Sequence, residues 1–192
     1  MSKNLLILGA GIESIEGYLR AKKFNCKIIA VDKNPKAPSL KYADKFIQAS
    51  IHNYLEILQK IKKAKYRIDG VIAFGDVSLV AAKLSIYLKT NSIPVKSAKI
   101  TSNKFLFKKE MQKFFHIPKF KKIKSLSQLK NLVSKDKTKY ILKPVDNSGA
   151  RGVILINKYT NLDWAYAYSK KYSKKNYLIA EEYVKGPQLS TE

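Results

Sequence analysis

A short basic loop between two apolar segments carries the residues that could do chemistry. It begins at Lys143, passes Ser148 and Gly149, and ends at Arg151 and Gly152. Glycines let a backbone approach a ligand closely and turn N–H groups toward it, which suits an anion. The lysine and the arginine add fixed positive charge, and a guanidinium can hold a phosphate through two parallel hydrogen bonds. The pattern is typical of a β-hairpin that folds over nucleotide phosphates, and equally of an ordinary hairpin in a basic protein.

The elements around this loop predict a small α+β domain over residues 98–192. A helix capped by Thr101 or Ser102 is predicted to run to about Phe115. After it, apolar periodicity predicts the order strand, helix, strand, strand, helix, strand, which suits a domain laid over a ligand. The strands are predicted near residues 120–123, 140–143, 153–156 and 177–181, with helices starting near Ser125 or Ser127 and at Asn161.

The first part of the chain, residues 1–97, predicts a doubly wound parallel sheet. Strands near residues 4–8, 27–32, 46–47 and 70–74 alternate with helices. We expect the first helix to bury Ile12, Ile15, Leu19 and Phe24.

A glycine-rich turn follows the first strand and nearly matches a dinucleotide-binding fingerprint. Gly9 and Gly11 precede the helix, and Asp32 ends the second strand. Ser14 stands where the third glycine of the fingerprint is expected. Such a turn is as often a device for packing a helix on a sheet as a cofactor site.

The composition narrows the class of protein. The chain has 192 residues, one cysteine and two histidines, which argues against a disulfide framework, a histidine-based zinc site and a serine–histidine triad. No apolar run approaches the ~20 residues of a membrane span. We therefore expect a soluble cytoplasmic protein without a membrane partner.

The formal net charge of +24 raises the alternative of a nucleic-acid binder. Two observations argue against a nucleic-acid-binding function. Only three of the 38 basic residues are arginines, and the lysines are spread along the chain, many at the ends of predicted helices.

Several separated stretches share a pattern with one enzyme family. They are Leu6-Ile7-Leu8-Gly9-Ala10-Gly11 with residues 31–38 and 42–44, Asn103-Lys104 with His116-Ile117-Pro118, Lys143-Pro144 with residues 148–152, and residues 181–187. In this order they resemble the ATP-grasp enzymes. The branch they resemble includes biotin carboxylase, carbamoyl phosphate synthetase and the purine-pathway carboxylating and formylating ligases.

The resemblance implies the chemistry of a ligase. ATP transfers its γ-phosphoryl group to a carboxylate, and an amine or another nucleophile attacks the acyl phosphate. Catalysis of such a transfer is mostly positioning and charge neutralisation. By resemblance, Lys104 and Lys143 lie on the α- and β-phosphates. Ser148, Gly149 and Gly152 are the implied loop donors, and Arg151 is the implied catalytic residue at the transferring phosphate or simply faces solvent.

The resemblance also implies an adenine site near the end of the sequence. Glu181 accepts from the adenine amino group, although a solvated strand end is the alternative. Glu182 and Val184 complete the adenine edge through their backbones, and Tyr183 lies between them in the same segment. In this family the N-terminal domain usually helps to bind the acceptor substrate and does not bind NAD. Gly11, Asp32 and Asp76 are therefore the weaker, substrate-site candidates.

The resemblance places the Mg²⁺ ligands beyond residue 192, and residues 188–192 resemble the start of the next strand. We therefore expect the ATP-binding portion of a carboxylate–amine ligase, truncated and without turnover by itself. Its partners would be ATP, a small carboxylate and an amine-type acceptor, with a homodimer left open. A non-catalytic nucleotide-binding fragment or regulatory subunit, an NAD(P)-binding protein and a nucleic-acid binder are the alternatives.

Overall fold

The computed structural model describes residues 2–135 and 138–187. The chain forms two compact units, Met1–Ser102 and Asn103–Glu192. The boundary predicted from the sequence lies at residue 97, within a short helix that packs against the preceding helix and so falls in the first unit. The predicted strand start at residues 188–192 lies outside the described residues.

The first unit contains a four-stranded parallel sheet with strand order β3-β2-β1-β4. The two central strands are mainly apolar and buried, as expected for strands covered on both faces, whereas the edge strand that begins at Lys45 is mostly exposed. The elements are β1 (Asn4–Leu8), α1 (Ile15–Lys23), β2 (Lys27–Asp32), β3 (Lys45–Gln48), α2 (Tyr54–Lys63), β4 (Gly70–Ala73), α3 (Ser78–Tyr87) and α4 (Val95–Thr101).

Helices cover both faces of this sheet because neighbouring strand residues point in opposite directions. Ile7 and Ile28 pack with Tyr18 of α1 on one face. Leu6 and Ile29 belong to the second core, which α2 and α3 complete on the other face. The doubly wound parallel architecture predicted from the sequence is confirmed.

The predicted buried face of the first helix is wrong in part. Ile12 is 74% exposed and Phe24 is 72% exposed, whereas Tyr18 and Ala21 are buried. The reason is that Ile12 lies in a 3₁₀ turn before α1 and Phe24 lies at its C-cap. Neither residue therefore follows the angular spacing of the helix itself.

The second unit contains a four-stranded antiparallel sheet with strand order β5-β8-β6-β7. The predicted order of strands and helices is confirmed. The elements are α5 (Lys104–Met111), β5 (Phe120–Ile123), α6 (Leu126–Ser134), β6 (Tyr140–Pro144), β7 (Ile154–Ile156), α7 (Leu162–Lys171) and β8 (Leu178–Glu182).

One face of this antiparallel sheet forms the core of the second unit. Leu142 of β6 and Ala180 of β8 pack with Leu129 of α6 and Ala165 of α7. Because side chains alternate along a strand, the residues next to Leu142 and Ala180 project from the opposite face. That opposite face carries charged residues, which is unusual for a central strand pair.

The N-terminus of α5 differs from the prediction. The predicted caps, Thr101 and Ser102, lie at the end of α4, and Asn103 caps α5 instead. The Asn103 side-chain oxygen accepts from the backbone N–H of Leu106 at 3.1 Å. Asparagine competes well with serine and threonine at this position, because its short side chain reaches the same unpaired amides.

Within the described ranges, no helix has the length and apolar character needed to cross a bilayer.

Candidate functional site

A buried carboxylate lies at the centre of the candidate site. Glu181 of β8 is 7% exposed. Its Oε2 atom lies 2.9 Å from Nζ of Lys143 on β6 and 3.3 Å from Nζ of Lys108 on α5. A buried charge is strongly destabilising unless it is paired, and here two cations from two different elements supply the pairing.

The second oxygen of this carboxylate has no such partner. Among the described residues, Oε1 of Glu181 is buried and accepts no hydrogen bond. Most buried polar atoms are satisfied by protein or water, so an unsatisfied one calls for an explanation. An oxygen that is held in place and has no donor suits an incoming N–H donor, such as the exocyclic amino group of a purine.

The first helix of the second unit brings Lys104 to the same region. The backbone N–H of Lys104 donates to the carbonyl of Val145 at 2.8 Å. Its side-chain ammonium donates to the carbonyl of Asn147 in the loop after β6. Lys104 therefore lies against the basic loop, and its contact with the phosphates of ATP stays a prediction.

Asn147 organises that loop. Its side-chain oxygen accepts from the backbone N–H of Ser148 at 3.0 Å and from Nη2 of Arg151 at 3.1 Å. Nε of Arg151 also donates to the Ser148 carbonyl at 3.3 Å. Arg151 is exposed and folded onto its own loop, so a role at a transferring phosphate stays a prediction.

Two glycines of the loop have different functions in the fold. Gly149 has a φ of +65°, and a Cβ added there would meet nothing within 4 Å. Gly152 has a φ of +77°, and a Cβ there would lie 2.8 Å from Cγ of Pro144 and 3.1 Å from Cβ of Tyr172. Gly149 thus leaves open space above the loop, whereas Gly152 is required by packing.

The last residue of β8 and the two residues after it have only some of their backbone N–H groups free. The N–H of Glu182 donates to the Lys119 carbonyl at 2.8 Å, and the N–H of Tyr183 donates to the Lys139 carbonyl at 2.9 Å. Val184 is 64% exposed, and its N–H makes no hydrogen bond to the described residues. An adenine edge could therefore use the N–H of Val184, but the N–H groups of Glu182 and Tyr183 are already engaged.

The three weaker candidates lie in the first unit, at the carboxyl edge of its sheet. Both carboxylate oxygens of Asp32 accept from backbone N–H groups, of Ala10 at 2.9 Å and of Asn34 at 2.8 Å. Gly11 precedes the 3₁₀ turn, and its carbonyl accepts from the Ser39 hydroxyl at 2.8 Å. Asp76 is exposed after β4. A structural role for Asp32 is thus explicit, and contacts with a substrate remain predictions.

Sequence reasoning missed two residues of the site, Lys108 and Asn147. Lys108 follows Lys104 by one helical turn, so the two share a helix face, and that spacing was the available signal. Asn147 precedes Ser148-Gly149, and asparagine commonly accepts from nearby backbone in such turns. The partner of Lys108, Glu181, could be identified only after β8 and α5 had been placed, whereas the side-chain partners of Asn147 lie in its own loop.

The polar groups of this site are a carboxylate and several ammonium groups. The described residues contain no group of three or more histidine, cysteine, aspartate or glutamate side chains that could hold a metal ion. They do contain an unsatisfied buried acceptor, Oε1 of Glu181, and ammonium groups of Lys104 and Lys143 on neighbouring elements. A free acceptor suits the amino group of a purine, and nearby ammonium groups suit its phosphates.

Known proteins with similar sequences match the chain over most of its length. The family described as "PylC-like, N-terminal domain" matches residues 5–93. The formate-dependent phosphoribosylglycinamide formyltransferase of Prochlorococcus marinus is 27% identical over 188 residues, which cover 95% of this chain and 47% of that protein. The chain thus spans about half the length of the curated relatives that it matches.

Solved structures give the same result over both units. N5-carboxyaminoimidazole synthetase from Staphylococcus aureus, complexed with ADP, matches with a TM-score of 0.76 at 18% identity and covers 96% of this chain and 48% of that one. Carboxyaminoimidazole ribonucleotide synthase from Aspergillus clavatus, complexed with ATP, matches with a TM-score of 0.77 at 17% identity and covers 95% and 47%.

The fold is that of the N-terminal half of ATP-grasp ligases. The resemblance to ATP-grasp ligases predicted from the sequence is confirmed, and the match to the PylC-like N-terminal domain is limited to residues 5–93.

Proposed function

We propose that this chain is the ATP-binding portion of an ATP-grasp carboxylate–amine ligase that acts through an acyl phosphate. The observation that carries the proposal is Glu181, a buried carboxylate with one oxygen on two lysines and the other unsatisfied. The unsatisfied oxygen can accept a hydrogen bond from the amino group of adenine. Lys104 and Lys143 are then the cations proposed to bind the phosphates. The homologues that bind ADP or ATP support the same ligand.

The proposed roles follow from the contacts. Oε1 of Glu181 accepts from the adenine amino group, and the Val184 N–H completes the adenine edge. The ammonium groups of Lys104 and Lys143 bind phosphate oxygens, because each contacts a protein oxygen that a phosphate oxygen could replace. The Ser148 hydroxyl and the Gly149 N–H are the loop donors in this proposal, since the Ser148 N–H already donates to Asn147 and the space above Gly149 is open.

The acyl-phosphate step belongs to the whole ligase, with a small carboxylate and an amine-type acceptor as its substrates. Mg²⁺, when bound, would neutralise the γ-phosphate and polarise it for attack. The chain's own residues would orient the adenine and neutralise the other phosphates.

An NAD(P)-binding role is less well supported by the first unit. In a dinucleotide site the acidic residue at the end of the second strand binds the ribose. Here both oxygens of Asp32 are engaged by backbone N–H groups. Ser14, at the position of the third glycine, is fully buried, which leaves its hydroxyl inside the turn.

Replacing Lys143 tests the proposal. We expect Lys143→Ala to weaken ATP binding by about tenfold, the usual effect of losing one charge-assisted hydrogen bond. The melting temperature without nucleotide should change little, because Lys108 still pairs with Glu181. Isothermal titration of each protein with ATP measures the affinity, and differential scanning calorimetry measures the melting temperature.

Lys171→Ala is the matched control, because it removes the same charge from an exposed position on α7. Equal ATP affinity in the Lys143 variant and in the parent would contradict the lysine assignment. A parent chain that binds NADH and not ATP would contradict the proposed function.

A further inference from the structure

Lys108 shares the buried carboxylate with Lys143, and the two lysines reach it from different elements, α5 and β6. We propose that Lys108 is a positioning residue that keeps Glu181 paired while Lys143 moves to a phosphate of ATP. The inference rests on the proposed function, since it assumes that ATP binds at this site. It assigns Lys108 a role that neither the sequence motifs nor the resemblance implies.

The need for a second cation follows from the geometry of the ligand. In ATP the amino group and the phosphates lie at opposite ends of the molecule, with the ribose between them. Nζ of Lys143 now lies 2.9 Å from Glu181, the residue proposed to bind the amino end. Binding a phosphate would therefore draw the ammonium group of Lys143 away from the carboxylate.

The loss of this partner would be costly without a replacement. The Glu181 side chain is 9% exposed, so little water can solvate its negative charge once Lys143 has moved to a phosphate. Nζ of Lys108 already lies 3.3 Å from the same oxygen, and its side chain is 19% exposed. Glu181 would thus remain paired through α5 while its other oxygen accepts from adenine.

The position of Lys108 is fixed by the helix that carries it. Asn103 caps α5 and donates from its side-chain amide to the Tyr177 hydroxyl at 2.9 Å. The Phe105 ring packs edge-on against Phe120 and Tyr177, with centroids 5.7 and 6.1 Å apart. The Lys143 side chain is as buried as that of Lys108, at 20% exposed, but Lys143 lies on β6 next to the basic loop, where a bound anion would attract its ammonium group.

The movement of Lys143 from Glu181 to a phosphate predicts different effects on ATP and on adenosine. If Lys108 only stabilised the position of Glu181, both ligands would be affected equally. In Lys108→Met, ATP can bind Lys143 only by leaving Glu181 unpaired, so we expect ATP affinity to fall by about tenfold. Adenosine has no phosphate and leaves Lys143 on Glu181, so its affinity should stay within about twofold of the parent value. Titrations of both ligands, followed by NMR chemical shifts, measure the two dissociation constants.

Three variants complete the experiment. Lys109→Met removes a neighbouring exposed lysine of α5 and should leave both affinities unchanged. Lys108→Arg keeps a cation beside Glu181 and should retain the ATP affinity of the parent, which also gives a readout if Lys108→Met does not fold. In a Lys143→Ala background, adding Lys108→Met should no longer change the ratio of ATP to adenosine affinity.

Each outcome separates the inference from the proposed function. No ATP binding by the parent chain would overturn both. ATP binding by the parent with equal affinities in the Lys108 and Lys109 variants would overturn the inference alone. Equal losses of ATP and adenosine affinity in Lys108→Met would show that Lys108 only positions Glu181 for adenine. That result would also overturn the inference that Lys143 changes partners.

Discussion

Gly152 combines a backbone conformation and a packing environment that only glycine satisfies. Its φ is +77°, and a Cβ would lie within 3.1 Å of Pro144 and Tyr172. Its carbonyl also accepts from the buried Ser169 hydroxyl at 2.7 Å, which prevents the backbone from moving aside freely. The residue therefore fixes the end of the basic loop against α7.

We expect Gly152→Ala to lower the free energy of unfolding by about 2–3 kcal/mol, from backbone strain together with overpacking. Gly149→Ala is the matched control, because Gly149 has a similar φ of +65° and open space around it. Strain alone should make that substitution cost about 1 kcal/mol. Urea denaturation of both variants measures the difference, and equal costs would show that packing at Gly152 is unimportant.

At the scale of an element, the start of α5 decides where two site lysines lie. Asn103 is 5% exposed and uses both ends of its side-chain amide, as the acceptor for Leu106 N–H and as the donor to Tyr177. Capping satisfies an unpaired amide of the first turn, and the donor ties the helix to the residue before β8.

We expect Asn103→Ala to lower the free energy of unfolding by about 2 kcal/mol, since a cap and a partly buried hydrogen bond are lost together. Asn103→Asp keeps the capping oxygen and loses only the donor, so its cost should be smaller. Asn161, which caps α7, provides the control pair Asn161→Ala and Asn161→Asp. Denaturant melts measure all four variants, and equal costs for Ala and Asp at residue 103 would contradict the role of the cap.

Most elements of this fold could be predicted from apolar periodicity. Strands such as β1 are unbroken apolar runs, and α2 and α7 have asparagine caps with regular apolar spacing. Helix α4 was missed because only Ala98 of its seven residues is buried, so it has almost no apolar face to detect. Ile12 and Phe24 were wrongly predicted for a different reason: they are apolar but lie just outside α1, so the helical spacing does not apply to them.

The site was predictable only in part, because some of its contacts depend on tertiary packing and loop geometry. Lys143 and Glu181 lie in strands whose positions the sequence indicates. In the antiparallel register Lys143 lies opposite Ile179, so Glu181 is two residues away on the same face of the sheet and within reach of the lysine side chain. Lys108 reaches Glu181 from a separate helix, and only packing decides that contact. The folding of Arg151 onto Asn147 likewise depends on loop geometry that periodicity does not describe.

At the scale of the whole molecule, the net charge of +24 affects both binding and stability. An excess of positive charge attracts anionic ligands over a long range, which favours the approach of nucleotide phosphates. The same charges repel one another in the folded state, so each structural carboxylate has added importance. Asp44 and Asp69 are two such carboxylates in the first unit.

Asp44 joins two elements of that unit. Its Oδ2 atom lies 2.6 Å from Nζ of Lys22 on α1 and 2.6 Å from the backbone N of Ile28 on β2. Burial alone would raise the pKa of Asp44, but the hydrogen bonds from Lys22 and Ile28 and the charges of Lys22 and Lys27 outweigh it, so the pKa is lowered. The pKa of Asp69 is lowered too, by the Asn4 N–H and by Arg67.

A lowered pKa in the folded state fixes the sign of the pH dependence. The stabilisation by Asp44 is present above its unfolded pKa of about 4 and is lost as the pH falls through the lower, folded pKa. We therefore expect the free energy of unfolding to fall below about pH 4, more steeply at low salt, because protonation also increases the net positive charge. Urea melts at a series of pH values and at two sodium chloride concentrations measure this dependence.

Asp44→Asn separates this carboxylate from the general effect of acid. At pH 7 the substitution should cost no more than about 1 kcal/mol, because the pair with Lys22 is half exposed and solvent screens it. The parent and the variant should become equally stable once Asp44 is protonated in both the folded and the unfolded parent. Glu13→Gln, an exposed carboxylate before α1, is the control and should leave the pH profile unchanged. A constant difference between the parent and Asp44→Asn down to strongly acidic pH would contradict the assignment, because the loss would then come from packing and not from the charge of Asp44.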